Sequence, residues 1–481
     1  MIRFALSAGL ALVLGWTGAG AGEPQLAVAA EQGEAERAGI LLESGAEVDG
    51  SQVDGMTALL WAAYHDDLEM GRLLVKARAD VNQANRYGVR PLSLACQNGN
   101  AGFAALLLEA GADPNATLAG GETALMTAAR TGVADVVKVL LERGARVDAR
   151  ERRGQTALMW AAAEGHLEVV DLLLGAGADF RTPLASGFTP LLFAVREGRA
   201  GVVGRLLEAG AGVNRAARPE RRAGRGIRGG TTPLSLAVEN GHFELAIALV
   251  EAGADPDDQR SGFAALHTVT WVRKTGFGDN EAGNPPPAGS GSIGSLDFVR
   301  KMVSLGAEVN VPVRKGSGGR GRMNTTGATP FLLGAKNADL PFLKLLVELG
   351  ADPGIPNADG CTPLMAAAGI GCLAPGEEAG TEEEAMETVR WLLAQGADLN
   401  HVDRNGETAM HGAAYKSLPG MVRLLDEKGA DLEIWNRRNK YGWTPLVIAQ
   451  GFRPGNFKPA HETIEAISTV MRSHGVEPPP P

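Results

Sequence analysis

A 33-residue periodicity constrains the fold of this chain more than any other feature of its sequence. A glycine that precedes a Thr-Pro-Leu or Thr-Ala-Leu triplet, or a close variant of it, recurs with four successive steps of 33 at Gly55, Gly88, Gly121, Gly154 and Gly187. Further copies begin at Gly230, Gly262, Gly327, Gly360, Gly406 and Gly442, which makes eleven repeat starts. A period of this length indicates a stack of supersecondary units that share one elongated core.

The fourth unit shows what each repeat is expected to form. Thr156 occupies an N-cap position before a short apolar helix over 157–162, and sister repeats place Pro at the next position, which suits the first turn of a helix. Gly165 separates this helix from a second one over 167–174, and Gly177 suits a left-handed cap. The unit is therefore predicted to be a helix-turn-helix followed by a turn.

The same residues resemble the ankyrin repeat family. The family pattern, G-x-T-P-L-H-x-A-A followed by G-H-x-E-V-V-x-L-L-L and G-A-D-V-N, occurs in pieces at 165–170, 253–255 and 406–411, and the resemblance covers residues 25 to 470. It implies an all-α repeat solenoid of about eleven helix pairs with capping ends, in which β-hairpin fingers join the pairs.

Composition and the N-terminal segment limit the possible roles. A formal net charge of −10 argues against a dedicated nucleic-acid binder, and three cysteines exclude a disulfide scaffold. Arg3 precedes an apolar run over 4–16, and Ala19-Gly20-Ala21 offers a small-residue cleavage site, which is typical of a signal peptide. The run is too short for a standard transmembrane helix, although an uncleaved anchor stays an alternative. The protein is expected in the periplasm or outside the cell, with no membrane span after cleavage.

The eleven repeat starts divide the chain into segments. We expect a signal peptide over 1–21, an N-terminal capping repeat over 22–53, the repeat array over 54–451, and a C-terminal capping helix with a Pro-rich tail over 452–481. Two capping ends favour a monomer. Departures from the 33-residue step predict insertions at four places, 215–229, 274–294, 311–326 and 372–384.

Two of these insertions are basic and one is acidic. The finger at 215–229 carries six arginines against one glutamate, the finger at 311–326 adds four cations, and the segment 372–384 is rich in glutamate. Segregated charge of this kind steers association with an oppositely charged partner, so the fingers are expected to recognise an acidic patch. Solvated loops that bind nothing are the alternative, because long surface loops cost little.

The resemblance also implies which residues face a partner. They flank the finger glycines or follow the alanines of the first helix, and with the insertion arginines they form the predicted contact set. The set comprises Tyr64, Arg86, Tyr87, Arg130, Arg152, Arg153, Arg196, Arg218, Arg221, Arg222, Arg225, Trp271, Arg320, Arg322, Lys336 and Tyr415.

No catalytic, cofactor or metal motif is evident. His166, His242, His267 and His411 occupy scaffold positions of the repeat, and the usual zinc, phosphate-loop and nucleophile-elbow patterns are missing. Cys361 and Cys372 flank a helix at a distance that disfavours a disulfide, although the insertion could bring them together.

The predicted function is non-enzymatic binding of a partner protein on the concave surface, with neither cofactor nor nucleic acid. One alternative is an inhibitor or immunity protein that covers a single cognate enzyme. The other is an enzyme with a site in the loops 274–294 and 372–384, which is disfavoured because loops supply little rigid support.

Overall fold

The computed structural model describes residues 24–220, 227–274, 287–373, 375–376, 378–453 and 457–479. Contacts within the chain separate two compact units, Met1–Thr182 and Pro183–Pro481. The sequence pattern did not indicate this division, because the 33-residue step continues across it.

Each unit consists of stacked helix pairs. In the first unit the described helices are α1 (Gln25–Glu31), α2 (Ala35–Glu43), α3 (Ala58–Tyr64), α4 (Leu68–Lys76), α5 (Pro91–Asn98), α6 (Ala101–Glu109), α7 (Ala124–Thr131), α8 (Ala134–Glu142), α9 (Ala157–Glu164) and α10 (Leu167–Gly175).

The second unit continues the same arrangement with longer connections. Its described helices are α11 (Pro190–Arg196), α12 (Ala200–Glu208), α13 (Pro233–Glu239), α14 (Phe243–Glu251), α15 (Ala265–Arg273), α16 (Ser295–Ser304), α17 (Pro330–Lys336), α18 (Leu340–Glu348), α19 (Pro363–Ala367), α20 (Glu382–Ala394), α21 (Ala409–Lys416), α22 (Pro419–Glu427), α23 (Leu432–Trp435), α24 (Pro445–Ala449) and α25 (His461–Ser473).

The repeat count predicted from the glycine spacing is confirmed. Eleven pairs, from α3–α4 to α24–α25 with α23 as an extra turn, follow the eleven marked glycines, and α1–α2 precede them. Thr156 caps α9 as predicted, because its hydroxyl accepts a hydrogen bond from the Met159 amide at 3.4 Å. Gly177 has a φ of 85°, the left-handed conformation expected of a residue that ends a helix pair.

Alanines in the first helices allow neighbouring pairs to pack closely. In the first unit α3, α5, α7 and α9 contact one another in order, and so do α4, α6, α8 and α10. Ala62, Ala63, Ala128 and Ala129 are fully buried between them. Because an alanine side chain is one methyl group, adjacent helices approach without a gap.

The fingers are turns rather than β-hairpins. In the part of the chain that the structure describes there is no β-strand, and only three isolated bridges occur, Ser51–Thr57, Thr117–Thr123 and Gly319–Arg322. The expectation of a regular hairpin is therefore wrong for the regular fingers, where a tight turn such as 85–88 leaves too few residues for a ladder.

Candidate protein-binding surface and an enclosed pocket

The finger at 85–88 ends in a turn that projects two side chains outward. At 85–88 the Gly88 amide donates to the Asn85 carbonyl at 2.9 Å, and Asn85 Oδ1 accepts from the amides of Tyr87 and Val89, both at 3.0 Å. Gly88 has a φ of 77°, which permits this tight turn. Arg86 and Tyr87 are exposed at its tip, and Tyr87 keeps 70% of its accessible area.

The same turn recurs along the first unit, and adjacent fingers are hydrogen-bonded to one another. Glu151 Oε1 accepts from the amides of Arg153 and Gln155, and Arg152 and Arg153 are exposed at the tip. The Arg86 amide donates to the Asp54 carbonyl at 3.0 Å, and the Arg152 amide donates to the Gly120 carbonyl at 2.9 Å. Each of these two pairs of predicted contact residues is therefore held against the preceding finger by a backbone hydrogen bond.

Aromatic neighbours hold the predicted contact residues at the ends of the first helices. Tyr64 is 42% exposed and meets the Trp61 ring edge-on at 5.6 Å. The Arg130 guanidinium lies 5.6 Å from the centre of the Trp160 ring. Cation–π contact and stacking of this kind restrict the side chains before any partner binds.

In the second unit, Arg196 and Trp271 have similar support. The Arg196 guanidinium lies 5.1 Å and 5.2 Å from the ring centres of Phe188 and Phe193. Trp271 meets the Phe263 ring edge-on at 4.9 Å. Both residues are half-buried, so only part of each side chain is available to a partner.

Two residues of the predicted contact set lie in different environments from those expected. Tyr415 is 1% exposed, so the prediction that it lies on the accessible surface is wrong. Its hydroxyl donates to Glu407 Oε1 at 2.7 Å inside the protein, which draws the ring inward. Lys336 keeps 23% of its side-chain area, and its Nζ atom pairs with Glu378 Oε2 at 2.8 Å.

The two basic insertions lie on one edge of the second unit. The finger 255–262 lies between them. Arg260 donates to the carbonyl of Asn214, directly before the first insertion, and lines a small pocket together with Arg218. Gln259 donates to the Pro312 carbonyl of the second insertion at 3.0 Å. Arg218, Arg320 and Arg322 are exposed. The remaining predicted contacts of the first insertion, Arg221, Arg222 and Arg225, lie outside the described residues.

The acidic insertion packs against lysines of neighbouring repeats. Glu384 accepts from Lys274 Nζ at 2.7 Å, and the Ala379 carbonyl accepts from Lys416 Nζ at 2.7 Å. Glu378 is 4% exposed. Burial raises its pKa, but the charge and hydrogen bond of Lys336 and the Leu373 amide outweigh burial and hold the pKa below its ordinary value. This insertion therefore has a structural role, and we call residues 372–384 the acidic clamp.

The histidines and cysteines have structural environments. His267 Nδ1 accepts from the Ala264 amide at 3.2 Å, and burial lowers its pKa to about 4. His166 and His242 contact the carbonyls of Arg130 and Arg196 through Nε2. Cys96, Cys361 and Cys372 are buried and free, so the alternative of a bridge between the last two is not realised.

A pocket of about 250 Å³ that is partly open to solvent lies under the second basic insertion. Its walls come from the glycines of that insertion, from the three following fingers and from α21. The lining includes Arg322, Asn324, Asp359, Cys361, Asp403, Asn405, Glu407, Tyr415, Lys440 and Tyr441.

Glu407 is the buried acid of this pocket. It is 5% exposed, and its Oε1 atom accepts from Tyr415 at 2.7 Å and from Asn439 Nδ2 at 2.9 Å. Burial, with the charge of Asp403 in addition, raises its pKa to about 7 despite these hydrogen bonds. A carboxyl group that is partly ionised at neutral pH can respond to a bound charge.

A sequence profile described as ankyrin repeats in three copies matches residues 26–118, 116–183, 177–260 and 379–458, which is more than half of the chain. The chain belongs to the ankyrin repeat family. Ankyrin repeats generally mediate protein–protein interaction.

Individual relatives match only parts of the chain. It is 39% identical to human neurogenic locus notch homolog protein 1 over 102 residues, which are 20% of this chain and 4% of the relative. It is 27% identical over 186 residues to the Escherichia coli (strain K12) protein YahD, whose name describes an ankyrin repeat protein; they cover 38% of this chain and 77% of YahD. The chain thus spans only a small fraction of the length of the notch relatives.

Other site classes find no support in the described ranges. There, no group of three or more histidine, cysteine, aspartate or glutamate side chains is arranged to hold a metal ion. None of the helices in the same ranges has both the length and the apolar character to cross a bilayer.

The pocket was not predicted from the sequence. Asp403 and Asn439 occupy the ordinary turn position three residues before a finger glycine, and Glu407 directly follows Gly406. Each position is unremarkable on its own, because acids and amides are common in turns. No sequence signal indicated that the long finger would enclose them.

Proposed function

We propose that this protein is a non-enzymatic binding protein that recognises an acidic patch of a partner protein along the edge carrying its fingers. The observation that carries the proposal is the position of the finger 255–262, which is hydrogen-bonded to Asn214, directly before the first basic insertion, and to Pro312 within the second. Arg218, Arg320 and Arg322 are therefore presented on one edge of the second unit, and all three are exposed.

The chemistry of these side chains supports a carboxylate-bearing partner. Arginine presents a planar fork of donors that matches a carboxylate with two hydrogen bonds. The chain as a whole is acidic, with a net charge of −10, so the basic edge contrasts with the rest of the molecule. Such a contrast accelerates encounter with an oppositely charged surface.

The proposal includes export. Its support is the apolar run over 4–16 between Arg3 and the small residues at 19–21. Cell fractionation with mass-spectrometric determination of the mature N-terminus tests it. A chain that begins near residue 22 in the periplasm or the medium is the expected result, and a chain retaining Met1 in the cytoplasm would contradict export.

The partner-binding proposal is tested by affinity capture from an envelope fraction at moderate salt. The native chain is compared with a finger variant in which six arginines become glutamate. These are Arg218, Arg221, Arg222, Arg225, Arg320 and Arg322. We expect a discrete protein to be recovered by the native chain and lost from the variant.

A charge-matched control separates recognition from net charge. In it, six exposed cations on helices of the second unit become glutamate, namely Arg300, Lys301, Lys344, Arg390, Arg423 and Lys428. Retention of the partner by this control and its loss from the finger variant support the proposal. Equal recovery by all three chains would show that the basic fingers are solvated loops.

A further inference from the structure

The second basic insertion forms a roof over the neighbouring fingers. Asn324 Nδ2 donates to Asp359 Oδ1 at 3.1 Å, and Asn357 Nδ2 donates to the Asn324 carbonyl at 2.6 Å. Four residues before Asn324, the Arg320 guanidinium lies 5.9 Å from the centre of the Tyr441 ring. Tyr441 belongs to the third finger after the insertion. The roof is therefore attached at both ends of the pocket.

Beneath the roof, three carboxyl groups converge on one wall. Asp359, Asp403, Glu407 and the Cys361 thiol all line the same cavity. Burial first, and then the charges of Asp403, Glu407 and Asp359, hold the pKa of the thiol well above its ordinary value, although the charge of Lys336 acts in the opposite direction. The wall thus concentrates negative charge in a partly buried cavity, where electrostatic interactions are stronger than in water.

Lys440 offsets the charge of this wall only in part, because its charge lowers the pKa of Glu407 but is outweighed by burial and by the charge of Asp403. Lys440 Nζ contacts Asn405 Oδ1 and lies 5.1 Å from the centre of the Tyr441 ring. Arg322, on the roof, is exposed. Burial raises the pKa of both Asp403 and Glu407, and a neighbouring carboxylate raises each further.

Glu407 also offers an acceptor to the cavity. Among the described residues, both of its side-chain hydrogen bonds end on Oε1. The residue is 5% exposed and lines the cavity, so Oε2 is available to a donor that enters it. A buried carboxylate oxygen gains most from a charged donor.

We propose that this pocket binds a primary ammonium group carried on a short alkyl chain, with Glu407, Asp403 and Asp359 as its counter-charges. An ammonium has three donors and no acceptor, which fits a wall of separate carboxyl groups. The volume of about 250 Å³ lies below the range of about 300–1,000 Å³ for drug-sized ligands, so the pocket suits one side chain or small amine. This proposal does not rest on the acidic-patch recognition proposed above, although Arg320 and Arg322 belong to both surfaces.

Isothermal titration calorimetry of the full chain tests the pocket with three probes. They are the peptide acetyl-Gly-Lys-Gly-amide, the same peptide with an acetylated lysine side chain, and butylamine. We expect the lysine peptide to bind and the acetylated peptide to bind at least tenfold more weakly. If butylamine binds as tightly as the lysine peptide, the natural ligand is a free amine. If the lysine peptide binds more tightly than butylamine, the natural ligand is a lysine side chain.

Two variants distinguish a pocket from general attraction between charges. Glu407→Gln keeps the shape of the side chain and removes its charge, so at least tenfold weaker binding of the lysine peptide is expected. Arg320→Ala removes the roof contact with Tyr441 and also removes a positive charge. A pocket then binds the peptide more weakly, whereas unspecific attraction becomes stronger.

Arg72→Ala, at an exposed position of α4 in the first unit, is the matched control and should bind the peptide as the native chain does. The thermal unfolding midpoint of each variant establishes that it is folded. Equal binding of the two peptides, unchanged binding by Glu407→Gln, or tighter binding by Arg320→Ala would each overturn the proposal.

Discussion

Two buried glutamates of the second unit, Glu378 in the acidic clamp and Glu407 in the pocket, have almost equal exposure and opposite electrostatic environments. Glu378 is 4% exposed and is paired with Lys336, whereas Glu407 is 5% exposed and receives hydrogen bonds from the neutral groups of Tyr415 and Asn439. The pKa of Glu378 is held below its ordinary value, and that of Glu407 rises to about 7. Burial alone therefore does not determine the role of a carboxylate. Glu378 is structural because the Lys336 ammonium lies 2.8 Å away. Glu407 has no equivalent ion pair among the described residues and is therefore available for binding.

We expect the largest loss of stability when the Glu378–Lys336 ion pair of the acidic insertion is removed. Glu378→Ala leaves Lys336 partly buried without its partner, so we expect a loss of about 3 kcal/mol in the free energy of unfolding near neutral pH. Chemical denaturation measures it. Glu383→Gln, five residues away in the first turn of α20 and 74% exposed, is the control and should change stability by less than about 0.5 kcal/mol. Equal, small effects of both substitutions would contradict the clamp.

Substitution of the pocket glutamate is expected to change the free energy of unfolding in the opposite direction. The pKa of Glu407 is raised from 4.5 to about 7, so between these values the folded chain binds more protons than the unfolded chain and stability falls as pH rises. Glu407→Gln should therefore stabilise the protein by roughly 1–3 kcal/mol at about pH 8, and by much less near pH 4. Denaturation at both pH values measures the difference, and destabilisation at the higher pH would show that the charge of Glu407 is satisfied.

A weaker contact of the clamp gives a smaller effect. Lys274→Ala removes an ion pair whose glutamate, Glu384, is 44% exposed. We expect a loss of about 0.5–1 kcal/mol that shrinks in high salt, because exposed pairs are screened. Denaturation at low and high salt measures it, and a salt-independent loss above about 2 kcal/mol would show that Glu384 belongs to the buried part of the clamp.

The exposed finger tips should affect binding and leave stability almost unchanged. Tyr87→Ala, at a side chain that is 70% exposed, is expected to change the free energy of unfolding by less than about 0.5 kcal/mol. If the captured partner contacts the first unit, the same substitution weakens its binding, which surface plasmon resonance measures. A large loss of stability instead would assign Tyr87 a packing role.

The local signals of the sequence predicted most of the fold. The glycine spacing gave the number of helix pairs, and Thr156 and Gly177 have the capping roles predicted for them. These features depend on residues within one repeat, where a few positions fix the backbone. Of the predicted surface, Arg86, Tyr87, Arg152 and Arg153 are exposed at the turns that their neighbours define.

The sequence was less informative about features that depend on long-range contacts. Tyr415 was expected on the surface and is buried by Glu407, eight residues earlier, and Asn439, in the next finger. The acidic insertion, which composition identified only as rich in glutamate, pairs with Lys336 and with Lys274, which is 110 residues from Glu384. Composition cannot reveal such pairs, because the charge of a segment does not specify which distant residue will face it.

The sequence by itself therefore determined the repeated helix pairs, their caps and the turns between them, because each is decided by residues a few positions apart. Only the tertiary structure decided which charges are neutralised and which remain available. That depends on how inserted segments pack across neighbouring repeats, as the roof over Glu407 and the clamp around Glu378 show. The energy of a buried charge is set by its nearest partners in space, and periodicity along the chain carries no information about them.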